Sequence, residues 1–239
     1  MVLITPRGKK KGCLPRKSKF GSRCPVFGDS FNTIPVGDWP ELLKTHHSLR
    51  PFVPMIFDQD GVGSCATEST TQAMQVARAA QGLPFIQLQP WSIYSTTSGG
   101  RDQGSAIDDN LEYAREIGIL PESVWPRSKG WRAKPPKSLL DEHASQFRIQ
   151  EFWDIENIEQ IGTALLLGFP VVFGWSGHSV MFCDLLDTAT AEYANSWGSE
   201  WGDEGFGKLS LRSVNFKYGA FALRVASEAA DDPTPPVPA

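Results

Sequence analysis

The change of hydrophobic period at Pro170 constrains this chain more than any other feature. Before it, apolar residues recur at helical spacing, and after it they alternate as strands. Ala66, Ala73, Ala77 and Ala80 form a stripe of small residues along a helix expected from Cys65 to Gln81, narrow enough for another element to pack closely. A second helix is expected over Ala106–Ile117, with Ile107, Leu111 and Ala114 on one face and Gly118 as its stop. A third begins after Asn157, a good N-cap, and ends before Gly168 and Pro170. Beyond Pro170, strands are expected at Val171–Gly174, His178–Asp184, Thr190–Asn195, Phe206–Arg212 and Ala220–Val225. Helices first and antiparallel strands afterwards describe an α+β protein, with a helical N-terminal half, a β-rich C-terminal half and a cleft between them. The 239 residues suffice for a sizeable core, and 18 Pro with 22 Gly disfavour a simple helix bundle.

Charge is distributed unevenly. Residues 1–28 hold Arg7, Lys9, Lys10, Lys11, Arg16, Lys17, Lys19 and Arg23 and no acidic residue, so against a net charge of −4 the remainder is strongly acidic. Residues 1–33 therefore read as a basic arm, 34–226 as the folded domain and 227–239 as a flexible acidic, Pro-rich tail. The arm suits a short pro-segment, a docking tail, or a contact with an acidic partner or nucleic acid. Its lack of interleaved aromatics argues against sequence-specific nucleic-acid binding. No apolar run is long enough for a membrane span and no secretion signal is visible, so a cytoplasmic or virion-associated location is expected. Four cysteines without metal-site spacing imply free thiols in a reducing compartment.

The order Cys65, His178, Asn195 carries the chemistry. Cys65 follows Gln59-Asp-Gly-Val-Gly-Ser and opens the buried helix, where backbone N–H groups and the positive dipole end favour a thiolate. His178 opens one strand and Asn195 closes the next, so antiparallel pairing brings them side by side. An Asn accepting from one ring nitrogen fixes the tautomer and leaves the other nitrogen for a thiol. Taken singly, an inert buried Cys or a structural His at a strand edge is the commoner outcome; the combination tips the balance.

Asn195-Ser-Trp-Gly-Ser-Glu-Trp-Gly-Asp-Glu-Gly-Phe-Gly resembles the segment around the asparagine of papain-like cysteine proteases. Gln59, Gly177-His178-Ser-Val and Ile34-Pro-Val-Gly-Asp-Trp extend that resemblance over residues 34–226, and the Gly104–Pro126 region is similar to bacterial and phage members. The resemblance implies a two-lobed papain-like fold and thiol-dependent peptide-bond hydrolysis on a protein or peptide substrate. It makes Cys65 the nucleophile, His178 the acid–base group and Asn195 its orienter. Gln59 becomes an oxyanion-hole donor and Trp197 a cover for the His–Asn contact. Gly104, Ser105, Gly177 and Trp197 fall on the substrate-binding side, and no metal or organic cofactor is required.

Departures from the pattern shape the alternative. The family signature C-G-[SA]-C-[WY] stands here as Val62-Gly63-Ser64-Cys65-Ala66, so the usual disulfide partner and the following aromatic are both replaced. The chain between Val172 and His178 is abbreviated, which alters the expected cleft. A papain-like scaffold serving as a structural or binding part of a larger assembly, such as a virion, is the competing reading. A serine hydrolase through Gly174-Trp-Ser-Gly-His is weak, because His178 stands where the G-x-S-x-G elbow needs Gly.

Overall fold

The computed structural model describes residues 5–16 and 24–225. Five helices of more than four residues occur among them: α1 (Cys65–Ala80), α2 (Trp91–Thr97), α3 (Ile107–Glu116), α4 (Lys137–Glu142) and α5 (Ile158–Leu166). Six strands, β1 (Ile149–Asp154), β2 (Val171–Trp175), β3 (His178–Asp187), β4 (Thr190–Ala194), β5 (Phe206–Ser210) and β6 (Ala220–Val225), form one antiparallel sheet in the order β1-β6-β2-β3-β4-β5. The α+β class read from the sequence is the one observed, with four of these helices before β1 and α5 between β1 and β2.

The sheet has a core on each face. Met74, Ile107, Leu111, Val172, Met181 and Phe221 join α1 and α3 to one side. Trp39, Ile161, Phe173, Phe182 and Tyr193 pack α5 onto the other. Helix α1 is buried from Cys65 through Arg78, although it carries Ser, Thr, Gln and Glu. Its hydroxyls bond back to its own carbonyls, Thr70 Oγ1 to Ala66 O at 2.8 Å and Thr71 Oγ1 to Thr67 O at 2.9 Å. That back-bonding satisfies these two hydroxyls inside the core. Helix α5 is capped as expected, Asn157 Oδ1 accepting from Gln160 N at 2.9 Å.

Within the arm expected over 1–33, residues 24–31 pack onto the fold. Phe27 is wholly buried, stacks on Phe31 at 4.6 Å and meets Trp153 and Phe169 edge-on. Pro25 O accepts from Asp154 N, so this piece belongs to the folded core. Two aromatics four residues apart make no periodic pattern, and the basic composition around them masks their role. The expected 227–239 tail lies outside the described residues. Among the described residues no helix is long and apolar enough to cross a membrane.

Candidate active site

Cys65 is the first residue of α1 and completely buried. The preceding loop turns at Asp60 (φ 49°) and Gly61 (φ 72°), closing with Val62 N on Gln59 O at 2.9 Å. Backbone N–H groups of Gly12, Ser179 and Ala66 point at the sulfur, the Gly12 nitrogen at 3.3 Å. Burial outweighs these donors and pushes the thiol up to about 11.

Strands β2 and β3 are joined by Ser176 (φ 53°) and Gly177 (φ 78°). Two left-handed residues are what a type I′ hairpin requires, and this turn sets His178 opposite Trp175. Pairing of β3 with β4 then brings Asn195, just past β4, to the His178 ring: Asn195 Oδ1 lies 2.7 Å from Nε2. The ring stacks on Trp197 at 4.4 Å, and Trp197 meets Trp201 edge-on. Burial lowers the imidazole to about 4 against the opposing Asn195 bond. Its buried Nδ1 has no partner among the described residues. Ser179, the next residue, has its Oγ 2.6 Å from Ser69 Oγ, so α1 and the start of β3 are stitched together one turn beyond Cys65.

Gln59 is also buried. Its Nε2 donates to Lys10 O at 3.0 Å and to Val62 O, while its Oε1 accepts from Ser196 Oγ at 2.8 Å. A peptide therefore already lies in the site, and it is the chain's own residues 9–14. Ser105 N donates to Gly12 O at 2.9 Å, Leu14 N to Ser105 O at 3.0 Å, and Cys13 N to Gly177 O at 2.9 Å. The Cys13–Ser105 pairing is parallel.

The fit is tight and glycine-dependent. A Cβ on Gly12 would lie 1.9 Å from Gly63 O, and one on Gly104 would lie 2.0 Å from Gly12 O. Ion pairs flank the ladder: Lys9 Nζ to Asp58 at 2.5 Å, Lys10 Nζ to Asp102 at 2.5 Å, and Arg16 to both oxygens of Asp154 at 2.9 and 2.7 Å. Partial burial disfavours charge on Asp58 and Asp102, but the Lys9 ammonium and Asp60 N–H at the first, and Lys10, Gly63 N–H and Tyr94 OH at the second, hold both carboxyls below the usual range.

Cys65, Gln59, Ser105 and Gly177 thus bond this segment directly, and Gly104 lies against it. His178 and Asn195 bond each other, and Trp197 stacks on the imidazole. Sequence reasoning did not identify Asp58, Tyr94, Asp102 or Ser196, nor the contacts of residues 10–14 with Gln59, Cys65, Ser105 and Gly177. The available signal was the arm's positive charge against an acidic remainder.

Six antiparallel strands against a buried helix that starts at a cysteine define the fold of the papain-like cysteine proteases. Xylellain, a cysteine protease from Xylella fastidiosa, superposes with a TM-score of 0.72 at 18% identity, over 94% of this chain and 100% of that one. A digestive procathepsin of Tenebrio molitor gives 0.67 at 14% identity, over 91% and 79%. A Carica candamarcensis cysteine protease in complex with E-64 gives 0.60 at 16%, over 77% and 99%. In sequence, an uncharacterised peptidase C1-like protein of Acanthamoeba polyphaga mimivirus is 24% identical, over 73% of this chain and 72% of its own length. No family profile matches the chain.

Proposed function

We propose that the chain is a cysteine peptidase that hydrolyses peptide bonds through Cys65, His178, Asn195 and Gln59, and that residues 5–16 occlude its own site. One observation carries this reading: a peptide segment lies in the cleft with an N–H on the Cys65 sulfur and a carbonyl on the Gln59 amide. In the unoccluded site the thiol passes its proton to His178 Nδ1, while Nε2–H stays on Asn195 Oδ1. The thiolate attacks a substrate carbonyl, and the Gln59 amide and Cys65 N–H stabilise the developing oxyanion. The imidazolium protonates the departing amine, and water then hydrolyses the thioester.

The resident segment escapes cleavage for a geometric reason. In a trans peptide the N–H and C=O point in opposite directions. Gly12 N–H faces the sulfur, so the Lys11 carbonyl of that bond faces away from it. The carbonyl on Gln59 belongs to the neighbouring Lys10–Lys11 peptide, and no single bond is offered to both groups. Burial meanwhile leaves thiol and imidazole both neutral, the resting state of an occluded enzyme.

Gly12→Val in the full chain tests the reading, because a side chain there collides with Gly63 backbone. Hydrolysis of a mixed peptide library and covalent labelling by E-64 are expected to rise at least tenfold over the parent, and Cys65→Ala is expected to abolish both. Background turnover in Gly12→Val, unchanged by Cys65→Ala, would overturn the peptidase reading. That result would favour a scaffold, a reading motivated by the complete burial of Cys65.

A further inference from the structure

We propose that the loop over residues 127–137 docks a short acidic segment of a protein partner through the exposed cations Lys129, Arg132 and Lys134. Residues 1–28 and 127–137 together hold 13 of the 23 Lys and Arg and none of the 27 Asp and Glu, so the rest of the chain sets 10 basic residues against 27 acidic ones. Lys9, Lys10 and Arg16 of the first stretch are engaged with Asp58, Asp102 and Asp154. Within the loop, Arg127 turns inward to Asp60, to buried Glu68 and over the Trp91 ring, and Lys137 pairs with Asp141 on α4. Lys129, Arg132 and Lys134 are exposed, and among the described residues no carboxylate pairs with any of them.

The loop holds these charges in place. A 3₁₀ turn over Arg127–Lys129 closes with Gly130 N on Arg127 O at 2.9 Å, and Glu122 accepts from Arg127 N at 2.8 Å. Pro135 and Pro136 restrict the backbone that leads into α4. Trp131 meets buried Tyr94 edge-on at 5.8 Å. The Arg132 guanidinium lies 4.5 Å from the centre of the Trp131 ring, and the Lys129 ammonium 5.6 Å from that of Trp125. Such contacts order the cations before a partner arrives, which lowers the entropy cost of binding. They also engage the rings: Trp125 is buried and Trp131 is covered by Arg132 and Tyr94, which disfavours the base stacking that single-stranded nucleic acid uses. A long polyanion would run from this patch onto a body in which acidic side chains outnumber basic ones. A segment of a few carboxylates stays within roughly 8 Å of the cations, the range over which charges act at physiological salt.

The test measures binding to the full chain carrying Cys65→Ala, so no probe is cut and the outcome does not depend on the peptidase reading. A short fluorescent oligo-Glu peptide is expected to bind at about 0.05 M salt and to be released at about 0.5 M, and an oligo-Gln peptide of equal length not to bind. Lys129→Gln, Arg132→Gln and Lys134→Gln together are expected to weaken oligo-Glu binding about tenfold, the loss of three exposed ion pairs. Lys134→Glu alters an exposed side chain with no partner among the described residues, so its expected few-fold loss decides the matter if the triple variant fails to fold. Absence of oligo-Glu binding overturns the proposal. Binding that both variants leave unchanged lies elsewhere, as on the N-terminal cations, and overturns it too. Tighter binding of a single-stranded oligothymidine of matching charge would assign the patch to nucleic acid instead and overturn it as well.

Discussion

The two described pieces of the N-terminal extension are held by different physics. Residues 24–31 are fastened mainly by aromatic burial: Phe27 and Phe31 close against Trp153 and Phe169. Residues 5–16 are held by a short backbone ladder and by ion pairs whose Lys9, Lys10, Asp58 and Asp102 side chains remain 23–41% exposed. Apolar burial is non-directional and is not screened by salt, whereas exposed ion pairs are weak, specific in direction and screened. The first piece is thus an anchor and the second a removable plug, joined in one extension. Phe27→Ala gives the largest expected effect. Truncating a buried Phe typically costs about 3–5 kcal/mol, so urea denaturation is expected to show a loss of that size. A loss below about 1 kcal/mol would show that the anchor is no tighter than the plug.

Acid distinguishes the anchor from the plug in another way. His178 is held neutral by burial, with its folded value near 4 against an ordinary value near 6.5. The unfolded chain binds the extra proton first, so the stability carried by neutral His178 is complete above about pH 6.5 and is lost as pH falls to about 4. The shift corresponds to about 3 kcal/mol. Withdrawal of the plug behaves differently, because proton transfer from Cys65 to His178 changes no net proton count. Denaturation of the parent is therefore expected to steepen with acid over this window relative to His178→Gln. Hydrogen exchange at Gly12 and Ser105, corrected for intrinsic rates, is expected to change little. Equal acid slopes in parent and variant would remove His178 as the titrating group.

What was legible in the sequence follows the same division. Helix α1, helix α3 and the strands from β2 to β6 announce themselves because packing on one or both faces imposes a period on the apolar residues. Strand β1 and helix α2 do not. Ile149-Gln-Glu-Phe-Trp-Asp lacks alternation, being buried at four of six positions including three in a row. Trp91-Ser-Ile-Tyr-Ser-Thr-Thr is made of weak helix formers that burial alone keeps helical. The His178–Asn195 contact was readable because two hairpin strands set it. Asp102 and the plug were not, since a loop carboxylate and a ladder spanning ninety residues leave no local pattern. Only the charge asymmetry hinted that arm and body neutralise one another.

The smallest effects separate the ion pairs from the ladder. Exposed pairs contribute about 0.2–1 kcal/mol each, so Lys9→Ala and Lys10→Ala are each expected to raise basal peptide turnover by no more than about fivefold. Arg16 differs, because its two bonds reach an Asp154 whose side chain is only 5% exposed. Removing the guanidinium leaves a buried carboxylate uncompensated, a larger penalty than losing a surface lysine. Arg16→Ala is therefore expected to exceed either lysine variant. Raising salt from 0.05 to about 0.5 M is expected to reproduce the lysine effect in the parent and to add little in the double lysine variant. Gly12→Val, by contrast, breaks the ladder itself and is expected to be insensitive to salt. If the lysine variants matched Gly12→Val, charge rather than backbone fit would hold the plug, and the comparison drawn between the two N-terminal pieces would need only electrostatics to explain it.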